Sequence, residues 1–125
     1  MNLPAPLLTG RPPISGYGRG RFRLGGIEHQ GSLLILPDGV YPWPVSDAAR
    51  LSHEDLRPVL SFEPVLDFLI LGTGITQLFP DKDLRRAFAD AGIGLEAMDT
   101  GAAARTYNVL LAEERIFAAA LIANG

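Results

Sequence analysis

The stretch that most constrains the fold is "DFLIL", Asp67–Leu71, where four apolar residues follow one another with no polar position to turn toward water. A strand that alternates polar and apolar residues can lie half-exposed, but one that is apolar on both faces must be covered on both. This run therefore reads as a central strand. The segments C-terminal to it supply the cover. In "DKDLRRAFADAGI", Leu84, Ala87, Phe88 and Ala91 recur at helical spacing, acids open the segment, and Gly92 is placed to cap its end. A short strand over Leu95–Met98 precedes "DTGAAARTYNVLLAEE", a second helix with Asp99 or Thr100 as N-cap, and Arg115–Ala123 forms a final strand.

The first half is less regular. Arg21–Leu24 alternates charged and apolar residues, Gly25-Gly26 offers a turn, and "GSLLILPDGVYPW" reads as a buried apolar strand ended by a Pro-Asp-Gly turn, all antiparallel. "LSHEDLRPVL" has Ser52 three residues before Asp55 and Leu56 and Leu60 on one face of a short helix, whose regularity Pro58 limits. Met1–Pro13 is a Pro-rich arm without periodicity, expected to lie along the surface or be partly disordered, and to carry no chemistry. The predicted order is β-β-β-α-β-α-β-α-β. It describes one α/β domain over residues 14–125, with a mixed sheet and helices packed on it.

Composition excludes more than it selects. With no cysteine, disulfides, thiolate catalysis and Cys-based metal sites are all ruled out, and His29 and His53 are the two histidines. They are read as lying in a turn and at a helix start, with no spacing that suggests a shared metal. The longest apolar run, Ile116–Ala123, falls far short of the ~20 residues a membrane span needs, so no membrane insertion is expected. The start of the chain resembles neither a secretory signal nor a transit peptide, and a bacterial-type cytoplasmic protein is expected. Arg11, Arg19, Arg21 and Arg23 all precede the first acid, Glu28, after which seven basic residues face fourteen acidic ones. "GYGRGRFRLGG" interleaves arginine, glycine and aromatics as RNA-binding tails do. A pI of 5.2 opposes a phosphate backbone, so these are read as solvated arginines on a glycine-punctuated strand, and no nucleic-acid partner is expected.

The candidate site begins at Gly72-Thr73-Gly74. A P-loop would need a lysine and immediate helix entry, and a dinucleotide fingerprint would need a third glycine at the right offset. Neither is met, which leaves an architectural turn out of a buried strand, or a crevice defined by position. If the strands before Gly72 and before Asp99 are parallel neighbours, Thr73 and the Asp99-Thr100-Gly101 cap both lie at carboxyl strand ends, where open α/β sheets hold ligands and where a helix N-terminus suits a small anion. Arg105 and Asn108 share a helix face, as a polar cluster over a cleft or as a buried hydrogen-bond network. Trp43 beside Tyr41 reads as an anchor of the small sheet. No nucleophile–base pair can be assembled, so no catalytic residue, metal or cofactor is assigned.

Three blocks, "GYGRGRFRLGG…GSLLILPDGVYPW", "LILGTG" and "MDTGAAARTYNVLLAEERIFAAAL", occur in order over Ile14–Leu121. Together they resemble the family of the mitochondrial complex I assembly factor 3 and its bacterial and archaeal homologues, an Mth938-like domain of unknown function. The resemblance implies a three-layer α/β domain with a mixed central sheet and a small additional β layer. It places the family's motif positions on Gly31, Ser32, Trp43, Gly72, Thr73, Gly74, Asp99, Thr100, Ala104, Arg105, Asn108, Glu114 and Arg115. It also implies a non-enzymatic, protein-binding assembly or chaperone-like factor for respiratory complex I or another inner-membrane complex. The partners implied are complex I subunits or another assembly factor, with a homo-oligomer left open. No transit peptide is seen, so mitochondrial location does not transfer; the expected place is the cytoplasm or the periphery of the inner membrane. The alternative is a small-anion or metabolite-binding protein, or an enzyme, using the crevice between Gly72-Thr73-Gly74 and Asp99-Thr100.

Overall fold

The apolar runs organise a mixed six-stranded sheet. In the computed structural model, which describes residues 3–124, its order is β1 (Leu8–Thr9), β6 (Gly39–Trp43), β5 (Ser32–Leu36), β9 (Phe117–Leu121), β7 (Phe68–Gly72), β8 (Gly94–Met98). β7 pairs in parallel with both β9 and β8, while β5 pairs antiparallel with β6 and β9. All five residues of β7 are buried, as a strand covered on both faces must be.

Alternate side chains then build two cores. Leu34, Leu69, Leu71 and Ala120 point to one, which is closed by Leu84 and Phe88 of α2 (Lys82–Ala91) and by Val59 of α1 (Arg57–Leu60). Leu33, Ile35, Ile70 and Ala119 point to the other, closed by Ala103, Ala104 and Tyr107 of α3 (Thr100–Leu110) and by Ile14, Phe22 and Leu24 of a second sheet. That second sheet is a meander of β2 (Ile14–Gly18), β3 (Arg21–Leu24) and β4 (Ile27–Gln30). The result is the three-layer α/β domain with a small additional β layer. Small residues let the layers approach: a Cβ on Gly72 would sit 3.0 Å from Thr100 Oγ1 and 3.1 Å from Ala103 Cβ.

The helix ends follow the chemistry of their caps. Asp81 accepts a hydrogen bond from Leu84 N, and Gly92 closes α2 at φ 73°, as its position implied. Asp99 is the N-cap of α3, accepting from Ala102 N at 2.9 Å.

Several expectations are corrected. Six strands precede α1, not three. The helix expected over "LSHEDLRPVL" shrinks to Arg57–Leu60, because Pro58, lacking an N–H, is tolerated only in the first turn. His29 lies in β4 rather than in a turn. Trp43 ends β6 of the large sheet, not the small one, and its indole N–H donates to Asp55 O at 3.0 Å. The Pro-rich arm contributes β1, with Leu8 opposite Val40 and Thr9 opposite Gly39. A Cβ on Gly39 would meet Leu8 O at 2.7 Å, so the glycine is what admits the arm. Met1 and Asn2, the start of that arm, lie outside the described residues.

Candidate functional site

β7 delivers Gly72, Thr73 and Gly74 to the carboxyl end of the sheet, and β8, its parallel neighbour, delivers Asp99 and Thr100 beside them. The two strand ends are stitched by backbone. Thr73 N donates to Met98 O at 2.9 Å, and Thr100 N donates to Gly74 O at 2.8 Å.

Side chains complete the closure. The Thr100 hydroxyl, fully buried, accepts from Gly74 N at 2.8 Å and donates to Ile122 O at 2.6 Å. The Thr73 hydroxyl donates to Thr76 O at 2.7 Å and accepts from Leu78 N at 3.0 Å. The amides of Thr73, Gly74 and Thr100 and both threonine hydroxyls are bonded within the chain, and the Asp99 carboxylate is occupied as a cap. Gly74 holds φ 101°, a conformation glycine adopts without strain, with open space where a Cβ would be. Gly72 has an ordinary φ; its constraint is the close approach of α3.

Of the expected site residues, Gly72, Thr73, Gly74, Asp99 and Thr100 come together. Arg105 and Asn108 turn to β2 instead. The Asn108 carboxamide accepts from Ile14 N and donates to Ile14 O, both at 2.8 Å, standing in for a neighbouring strand. Arg105 donates to the Tyr17 hydroxyl at 2.5 Å. Gly101 lies under that Tyr17 ring, where a Cβ would come within 3.2 Å. Nearby, burial pushes the Tyr107 phenol well above its ordinary value, and its hydroxyl donates to Pro12 O at 2.8 Å. Arg115 lies over the Phe68 ring at 4.4 Å.

Sequence reasoning passed over the stretch just after the glycines. Ile75 and Phe79 are 73% and 79% exposed and Leu78 is 41% exposed, carried on the loop that the Thr73 hydroxyl pins. Gln77 holds the same loop to the sheet by donating to Ala97 O at 2.8 Å. The signal was available: "ITQLF" is apolar where a loop before a helix cap is ordinarily polar. Open hollows lie elsewhere among the described residues. One of about 340 Å³ lies over Gly16 and Gly18 between Arg21, Arg23 and Glu28; another of about 390 Å³ adjoins His29, Pro42, Trp43 and Pro44.

The profile of the DUF498/DUF598 proteins, described as of unknown function, matches residues 14–122. The chain belongs to the DUF498/DUF598 family. Among family relatives, an uncharacterised protein of Rhodobacter capsulatus is 38% identical over 94% of this chain and 89% of its own. NADH dehydrogenase (ubiquinone) 1 alpha subcomplex assembly factor 3 of Danio rerio is 32% identical over 87% of this chain, which spans 63% of that protein's length. The crystal structure of an outer membrane protein from Bartonella henselae superposes with a TM-score of 0.88 at 38% identity, covering 94% of this chain and 99% of that one. A Bordetella pertussis structure described as an Mth938-like domain superposes at 0.79 and 28% identity, covering 100% and 94%. These two structures share the fold of this chain. Among the described residues, no helix is long and apolar enough to cross a membrane.

Proposed function

We propose that this DUF498/DUF598 protein is a non-enzymatic protein-binding module, an assembly or chaperone-like factor that docks a partner on the Ile75–Phe79 loop. One observation carries the reading. Thr73 and Thr100 close the crevice with internal hydrogen bonds, while the loop they anchor holds Ile75 and Phe79 in water. Large apolar side chains exposed together on an ordered loop mark partner surfaces more than ligand clefts. Relatives named as complex I assembly factors make subunits of that respiratory complex, or another assembly factor, the first partners to test. The working location is the cytoplasm, peripheral to the inner membrane.

The test is deletion in the native host, with complementation. Loss of assembled complex I, restored by the wild-type chain but not by Phe79→Asp, is expected. Normal complex I in the deletion strain rejects the assembly role, and full rescue by Phe79→Asp rejects the docking loop.

A further inference from the structure

β8 is the edge strand of the large sheet, beside the exposed loop. Its backbone parity can be read from its ends. Gly94 N donates to Asp67 O and Met98 O accepts from Thr73 N, so the groups of Gly94, Glu96 and Met98 face β7. In a parallel pair the alternate residues face away. The N–H and C=O groups of Leu95 and Ala97 therefore point outward, and the Gln77 side-chain bond to Ala97 O is made on that outer side. Gln77 stands where the amide of an added strand would donate.

From this geometry we infer that β8 receives an extended segment of a partner protein as a further strand, with a Lys or Arg opposite Glu96 and apolar side chains beside Ile75 and Phe79. Strand addition takes its affinity from backbone bonds and its selectivity from alternate side chains; the outward groups of Leu95 and the Ala97 N–H supply the first, and an incoming amide replaces the Gln77 side chain at Ala97 O. The charge selects the occupant. Glu96 is the one charged residue of β8, exposed at its centre, and Asp99 lies just beyond its end. A second copy paired antiparallel over all five residues would place Glu96 opposite its own equivalent, which repels. A basic residue from another chain meets it instead. The Ile75–Phe79 loop lies at the Ala97 end of the strand, so it meets the end of the incoming segment.

This inference rests on the protein-binding reading, and its test is kept separable from that one. The probe is a displayed library of random peptides about a dozen residues long, selected on the whole purified chain. Enriched peptides are expected to carry Lys or Arg among alternating apolar residues, and to slow amide exchange at Leu95 and Ala97 about tenfold or more. Glu96→Lys leaves the fold intact, since the side chain is exposed, and should reselect acidic peptides while weakening the first set about tenfold. No enrichment, or enriched peptides that leave those two amides exchanging as in the free chain, overturns strand addition. A dimer in sedimentation that protects the same amides also overturns it, because the occupant is then a second copy. If Phe79→Asp fails to complement while the β8 amides stay unprotected, protein binding stands and strand addition falls. If Phe79→Asp complements fully, the reading beneath it falls.

Discussion

Gly72–Gly74 and Ile75–Phe79 are consecutive in the chain, yet the first three residues are buried and the next five are exposed. The first stretch turns its polar groups inward, where Thr100 and Met98 use them; the second turns its apolar groups outward. The contrast teaches that a glycine-rich exit from a buried strand is not in itself a ligand loop. Where its donors are bonded within the chain, it acts as a rigid stage for what comes after. The inward stretch should answer to stability measurements and the outward one to partner measurements.

Thr100→Val should show the largest effect. The isosteric change leaves Gly74 N and Ile122 O buried without their partner, costing about 3 kcal/mol, read as a lower denaturant midpoint with an unchanged slope. A variant as stable as wild type would break the comparison, because the hydroxyl would then be free for a ligand.

Gly72→Ala comes next, at about 2 kcal/mol, since its Cβ overpacks against Thr100 and Ala103. Gly74→Ala meets no atom within 4 Å and costs about 1 kcal/mol through its positive φ alone. Thermal melts of the pair should rank them in that order. The reverse ranking would mean that backbone conformation, and not helix approach, sets the junction.

A smaller change comes from the buried tyrosine that anchors the arm. The Tyr107 pKa is raised by burial above the ordinary phenol value of 10.0. Stability from the neutral hydroxyl is therefore complete below about pH 10 and is lost as pH rises from there, because the unfolded chain ionises first. Tyr41, raised by burial and by its Asp38 neighbour, acts in the same direction. Tyr107→Phe should lessen the alkaline fall in melting temperature without abolishing it.

The smallest stability effect belongs to the outward stretch. Phe79→Ser should shift stability by less than about 0.5 kcal/mol, because the ring is 79% exposed, while removing partner capture. A large loss of stability would mean the ring packs on something, and the stretch would join its inward neighbour.

How much of this was legible obeys the same division. β7, α2 and α3 could be read because burial on both faces and helical spacing each leave a period in the sequence, and Asp99 and Gly92 carry cap chemistry at fixed positions. The small strands could not be separated. Glycines at 16, 18, 20, 25 and 26 interrupt any period, and β1 is two residues long, recognisable only from its partner Gly39. At the site, the meeting of Thr73 with Thr100 came from parallel pairing. That Asn108 would bind Ile14, 94 residues away, has no local signature. The apolar "ITQLF" marked its loop as unusual, but which of its side chains stay out in water, Phe79 among them, depends on the folded surroundings, since an apolar loop residue can fold back or stay out with the same sequence.

Among the described residues β9 is the last strand in chain order, yet it sits between β5 and β7 and is what joins the antiparallel half of the sheet to the parallel half. On the ribosome, everything up to Ile116 can emerge while these halves still face each other across a missing strand, each with an apolar edge unpaired. The sheet is therefore completed by an insertion rather than an addition, and a nascent chain paused before Phe117 is the form of this domain most in need of a chaperone of its own.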